Sequence, residues 1–180
     1  MTRPTPPPLP SPGAAGARPL RDALGRDLIA LGGHPLHLGV SQTRHGLNFA
    51  VFSRYATAMT LVLFARRRAE PVLELPLDPA CNRTGQVWHV ELTGLDPGTR
   101  YGWRAAREHQ PPSPLHRFEP ATVLVDPYAT ALTGGSRWGV VAPRAAADDG
   151  PRRRSLFVGV DFDWDGTRPP RIPLADKVIY

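Results

Sequence analysis

Gly94-Leu95-Asp96-Pro97-Gly98-Thr99-Arg100-Tyr101-Gly102-Trp103-Arg104 decides the fold. Asp96-Pro97-Gly98 carries turn chemistry, because proline presets its own φ and glycine accepts a positive one. Beyond the turn, Tyr101, Trp103 and Ala105 alternate with Arg100, Gly102 and Arg104. A strand built this way has one apolar face and one polar or small face. Its two rings belong to a core.

The same period of two recurs upstream. Leu38 to Thr43 reads as a strand, and Arg44-His45-Gly46 as a tight turn. Leu47, Phe49 and Val51 then alternate with Asn48, Ala50 and Phe52. Met59 to Ala65 is apolar on both faces, as a central strand requires. Val72 to Leu77 puts Leu73, Leu75 and Leu77 on one side, with Pro76 restricting it to a sheet edge. Val87 to Thr93 puts Trp88, Val90 and Leu92 on one face. Short strands separated by turn signals at this spacing predict an all-β antiparallel sandwich over residues 34–135.

The flanks read differently. Residues 1–19 hold seven of the chain's 22 prolines and predict a disordered or polyproline arm. Leu20, Leu24, Leu28 and Leu31 recur at helical spacing before Gly32-Gly33, which predicts one short amphipathic helix completing a 1–33 segment. Val123 to Val125 and Ser155 to Val160 have strand character. Residues 136–175 are expected to form a linker and surface excursion. Ile172 to Tyr180 reads as an apolar strand, broken off at its last residue.

Composition narrows the function. A hydrophobic fraction of 41% supports a core, and 180 residues suit one domain with appendages. The net charge of +6 raises nucleic acid as a partner. The basic residues, however, are arginine except for Lys177, which reads as genomic bias more than as a phosphate-binding surface. Cys81 stands alone, so neither an intrachain disulfide nor zinc spacing is available. No apolar run resembles a signal peptide or approaches the roughly 20 residues of a membrane span. A cytoplasmic setting without membrane partner, nucleic-acid partner, metal or cofactor is the expectation.

Catalytic patterns are missing. Asp161, Asp163 and Asp165 alternate, but no glutamate closes a calcium loop before Tyr180. The six histidines show no metalloprotease spacing, and no serine occupies a nucleophile elbow. Alternation assigns Trp88 and Trp103 to the core. Trp138 and Trp164 stand in turn-rich surroundings and are the candidates for stacking on a sugar ring or packing on a neighbouring domain.

Six pieces in order resemble the N-terminal region of isoamylase-type glycogen debranching enzymes of glycoside hydrolase family 13. They are Gly46 to Ser53, Asn82 to Val90, Gly94 to Gly98 with Tyr101-Gly102-Trp103-Arg104, Arg117-Phe118-Glu119-Pro120, Val125-Asp126-Pro127-Tyr128-Ala129, and Phe162-Asp163-Trp164 through Asp176-Lys177-Val178-Ile179-Tyr180. The resemblance implies an immunoglobulin-like sandwich of carbohydrate-binding module family 48 preceding a catalytic (β/α)8 barrel. Residues 176–180 then match the start of that barrel's first strand. It also implies that the catalytic carboxylates lie on later barrel strands, so that no catalytic residue belongs to residues 1–180. The implied partners are the barrel of the same polypeptide and α-glucan, glycogen or starch. Sugar-binding members of this module family resemble one another in loop tryptophans and in a lysine on the strand matching Tyr101 to Arg104. Here Gly102 takes the lysine position and leaves that face bare, while the loops offer Arg66-Arg67-Arg68 and Arg107-Glu108-His109. His109 joins Trp138 and Trp164 as a carbohydrate-contact candidate. The departure favours docking over direct glucan binding; a stand-alone glucan-binding module, or the same module of a branching enzyme, are the alternatives.

Overall fold

The alternating segments become strands of two packed antiparallel sheets. The structure is a computed structural model that describes residues 17–66, 68–95, 98–107, 118–133, 153–159, 165–168 and 170–178. In chain order the strands are β1 (Arg18–Arg21), β2 (Asp27–Leu31), β3 (Gly39–Gln42), β4 (Leu47–Phe52), β5 (Ala58–Phe64) and β6 (Pro71–Pro76). A single helical turn, α1 (Pro79–Asn82), precedes β7 (Arg83–Thr84), β8 (Val87–Thr93), β9 (Arg100–Ala106), β10 (Ala131–Leu132) and β11 (Ser155–Leu156). One sheet runs β1-β2-β8-β4-β3 with β7 also on β8, and the other runs β10-β11-β9-β5-β6. β6 is an edge strand, where Pro76 costs no ladder bond.

Register explains the core. Leu47 faces Leu92, Phe49 faces Val90 and Val51 faces Trp88 across β4 and β8. In the other sheet Leu63 faces Tyr101, Leu61 faces Trp103 and Met59 faces Ala105. All twelve of these side chains are buried, and they meet between the sheets. The Phe49 and Tyr101 rings meet edge to face, with centroids 5.1 Å apart at 71°, the arrangement that aromatic quadrupoles favour. This contact places β4 over β9. Trp88 and Trp103 are core residues, as alternation requires.

The helix expected over Leu20 to Leu31 is instead the β1–β2 hairpin. Asp22 Oδ1 accepts the N–H groups of Leu24 and Arg26, at 2.8 and 3.0 Å, and Arg26 Nε donates to Asp22 Oδ2 at 2.7 Å. Gly25 takes φ +78°, which reverses the chain. Leu20 lies opposite Leu28, so these leucines share a sheet face and not a helix face. The Ala23 N–H then bonds the Val72 carbonyl of β6 at 2.9 Å, stitching this hairpin to the second sheet.

Two other expected strands shrink. Around Leu124 a single bridge to Trp103 forms, and among its described residues Ser155 to Val160 contributes only Ser155 and Leu156 to a strand. The strand expected from Ile172 is replaced, in its described part, by a 3-10 turn at Leu174–Asp176 with exposed Leu174 and Val178. Pro173 opens this turn and has no N–H to give to a ladder. The proline arm through residue 16, the linker at 134–152, Asp161, Asp163 and residues 179–180 lie outside the described residues.

Candidate functional site

Asp126 organises the side of β9 that faces β11. Its residue is 2% exposed. Asp126 Oδ2 accepts the Tyr101 hydroxyl at 3.1 Å and the Trp103 Nε1–H at 3.2 Å. Oδ1 accepts the Tyr128 N–H at 2.8 Å, and the Asp126 N–H donates to Ser155 Oγ at 2.8 Å. A buried carboxylate without a cation beside it is costly unless donors surround it, and here the donors are the polar tips of the two core rings. Burial pushes the Tyr101 phenol far above its ordinary range, and the neighbouring Asp126 charge and hydrogen bond push it further.

This anchor fixes the segment from Leu124 to Leu132. Leu124 exchanges both backbone hydrogen bonds with Trp103, at 2.9 and 2.7 Å. The Tyr128 backbone lies against β3, so close that a Cβ on Gly39 would sit 2.8 Å from the Tyr128 carbonyl oxygen. The segment therefore touches both sheets at one edge of the sandwich. Leu124, Val125, Tyr128 and Leu132 remain exposed along it, Tyr128 by 52%. Exposed apolar side chains on an anchored segment are candidates for an interaction surface. Nothing in the alternation of this short segment announces it, because its fixing partners are 23 to 29 residues away. The Val125-Asp126-Pro127-Tyr128 turn was the only local signal.

The outer face at Gly102 is covered, contrary to the expectation that it is bare. A Cβ there would stand 2.5 Å from Val123 Cγ1 and 2.8 Å from the Leu124 carbonyl oxygen. Arg104 holds the cover in place. It donates to the carbonyls of Pro120 and Ala121 and to Glu74 Oε1 at 3.2 Å. Nearby, the Arg154 guanidinium stacks 4.1 Å from the centroid of Phe64. Beneath this roof Val62 and Phe64 are fully buried although they point away from the inter-sheet core.

The opposite sheet carries a second buried polar group. His89 Nδ1 is 2.8 Å from the Gly32 carbonyl and Nε2 is 2.9 Å from Thr84 Oγ1. The pair fits a neutral ring that donates from Nδ1 and accepts at Nε2. Burial pulls the His89 pKa down, assisted by the charge of His34 and opposed by the Gly32 carbonyl. Asn48 clasps the same segment, accepting the His34 N–H at 2.8 Å and donating to its carbonyl at 2.9 Å. Thr43 Oγ1 donates to Glu91 Oε1 at 2.5 Å. The buried carboxylates Asp22, Glu91 and Asp126 are each committed to a turn or an anchor. Glycoside hydrolysis instead needs two carboxyl groups facing the sugar from about 5 to 9.5 Å apart. Among the described residues no group of three or more histidine, cysteine or acidic side chains is placed to hold a metal ion. The carbohydrate-contact candidates Trp138, Trp164 and His109 lie outside the described residues.

Residues 37–129 match the family model for carbohydrate-binding module 48, described as the isoamylase N-terminal domain. The chain is 38% identical over 167 residues to isoamylase 1, chloroplastic, of Oryza sativa subsp. japonica, which spans 90% of this chain and 20% of that protein. It is 36% identical over 154 residues to the glycogen debranching enzyme of Yersinia pestis, spanning 82% of this chain and 22% of that one. Among solved structures, the Group B Streptococcus pullulanase in complex with maltotetraose is similar at 18% identity. That likeness covers 70% of this chain and 15% of the pullulanase, with a TM-score of 0.48. The chain spans about a fifth of the length of the relatives named first.

Proposed function

The chain belongs to carbohydrate-binding module family 48, the isoamylase N-terminal domain family, and on that premise we propose that it is the non-catalytic N-terminal module of a glycogen or starch debranching enzyme. In this reading the full-length protein hydrolyses α-1,6-glucosidic branch linkages, and this module docks on the catalytic barrel of the same polypeptide. The observation that carries the docking role is the exposed strip Leu124, Val125, Tyr128 and Leu132, held rigid by Asp126. An apolar surface fixed in this way loses little entropy when a partner covers it. Identity of 36 to 38% to debranching relatives supports the reaction class.

The covered Gly102 face supports docking over glucan contact at that strand, because no side chain of lysine's size fits beneath Val123 and Leu124. Among the described residues no helix is long and apolar enough to cross a membrane, and a cytoplasmic site of action is part of the proposal. Assay of the full-length gene product on a branched glucan tests the reading. Release of linear chains supports it, whereas transfer of chains into new branches reassigns the module to a branching enzyme.

A further inference from the structure

Where β3 turns into β4, the sandwich carries a cleft of about 270 Å³. Leu47, Leu95 and Phe157 form its apolar part, and Gln42, Arg44 and His45 contribute its polar part. The turn between them is stiff. Thr43 Oγ1 accepts the N–H groups of His45 and Gly46 at 3.1 and 3.0 Å while bonding Glu91. Arg44 Nε donates to His45 Nε2 at 2.8 Å, so the imidazole carries its proton on Nδ1 and presents a donor there. The Gln42 amide makes no hydrogen bond among the described residues and offers both a donor and an acceptor.

Three planar polar groups around an apolar floor suit a sugar ring. Amide, guanidinium and imidazole edges can bond neighbouring hydroxyls, and the floor accepts the C–H face of a pyranose. A bare anion uses Arg44 but leaves Leu95, Phe157 and Gln42 without a role. Resting on the glucan reading proposed above, we infer that this cleft binds one or two glucose units of an α-1,4-glucan chain. The site is separate from the Gly102 face. Its volume of about 270 Å³ falls just below the roughly 300–1,000 Å³ range of ligand pockets, which suits one or two rings and not a long chain.

The test is an amide NMR titration of the 180-residue chain with maltoheptaose, and separately with inorganic phosphate. Maltoheptaose is expected to shift Gln42 to Gly46, Leu95 and Phe157. R44A and Q42A, both changes of exposed side chains, should each weaken binding by about fivefold or more without altering the remaining spectrum. The inference is overturned by shifts confined to other residues, by unchanged affinity in both variants, by no response to maltoheptaose, or by phosphate producing the same shifts at lower concentration. Debranching by the full-length product is read separately. Activity with an unresponsive cleft removes this inference alone, and a responsive cleft without debranching removes the enzyme reading alone.

Discussion

Replacing Asp126 by alanine removes the acceptor for the Tyr101 hydroxyl, the Trp103 indole N–H and the Tyr128 N–H. Tyr101 and Trp103 are 0% and 2% exposed, so water cannot take over as acceptor without opening the core. Each orphaned buried donor costs roughly 1–3 kcal/mol, and release of Tyr128 from Gly39 adds to this. We expect D126A to lose about 3–5 kcal/mol, a large fraction of the roughly 5–15 kcal/mol that stabilises a domain. Y101F alone should cost about 1–2 kcal/mol, since it deletes one hydrogen bond to a charged acceptor and leaves the ring in place. In the D126A background the same Y101F change should cost much less, because only the Ser155 side chain then remains beside the hydroxyl it removes. The coupling energy of the double-mutant cycle is therefore about 1 kcal/mol or more. Urea unfolding followed by tryptophan fluorescence measures all four proteins. A D126A loss under 1 kcal/mol, or additive effects of the two changes, would refute the anchoring role.

Other outcomes follow from the same geometry. G102K should lose roughly 1–3 kcal/mol through overpacking and displace Val123 and Leu124, visible as shifted amide signals at both; a stable G102K with an unmoved cover contradicts the roofed face. Tyr101 keeps its proton when folded but loses it when unfolded near pH 10, so the unfolded state binds fewer protons and stability falls as pH rises past 10. The slope approaches about 1.4 kcal/mol per pH unit, and absorbance titration should find this phenol unionised until the protein unfolds. His89 has the opposite sense. Its folded pKa lies below the ordinary 6.5, so the unfolded state binds more protons and its contribution to stability is lost as pH falls below 6.5; H89Q should flatten that part of the denaturation profile. W88A should cost about 3–5 kcal/mol by thermal or urea unfolding, because this ring is fully buried between the sheets.

Alternation was a sufficient guide wherever a strand had one face in the core. The pattern Tyr101, Trp103, Ala105 is observed as buried side chains, and so are Leu47, Phe49 and Val51. Leu20 to Leu31 misled because leucines at helical spacing also satisfy a hairpin when a turn falls between them. Asp22 with Gly25 three residues on was the turn signal, and its side chain caps that reversal with two hydrogen bonds. The Gly102 face misled for another reason. A glycine in a strand reads equally as a bare surface or as a place where another backbone approaches, and only tertiary structure brings Val123 and Leu124 over it. The Asp126 anchor and the Gln42–His45 cleft share that origin. Each is assembled from residues far apart in sequence, and side-chain period carries no information about such meetings.

Docking is the centre of the account, and hydroxyl-radical footprinting measures it directly. Side-chain oxidation of Tyr128, Leu124 and Leu132 is compared between the 180-residue chain and the full-length gene product. These side chains are 52%, 47% and 45% exposed in the chain by itself. If the module docks through this segment, their oxidation drops severalfold in the full-length protein while that of the exposed Phe52, on the other sheet, is unchanged. Equal oxidation of the strip in both proteins would contradict it.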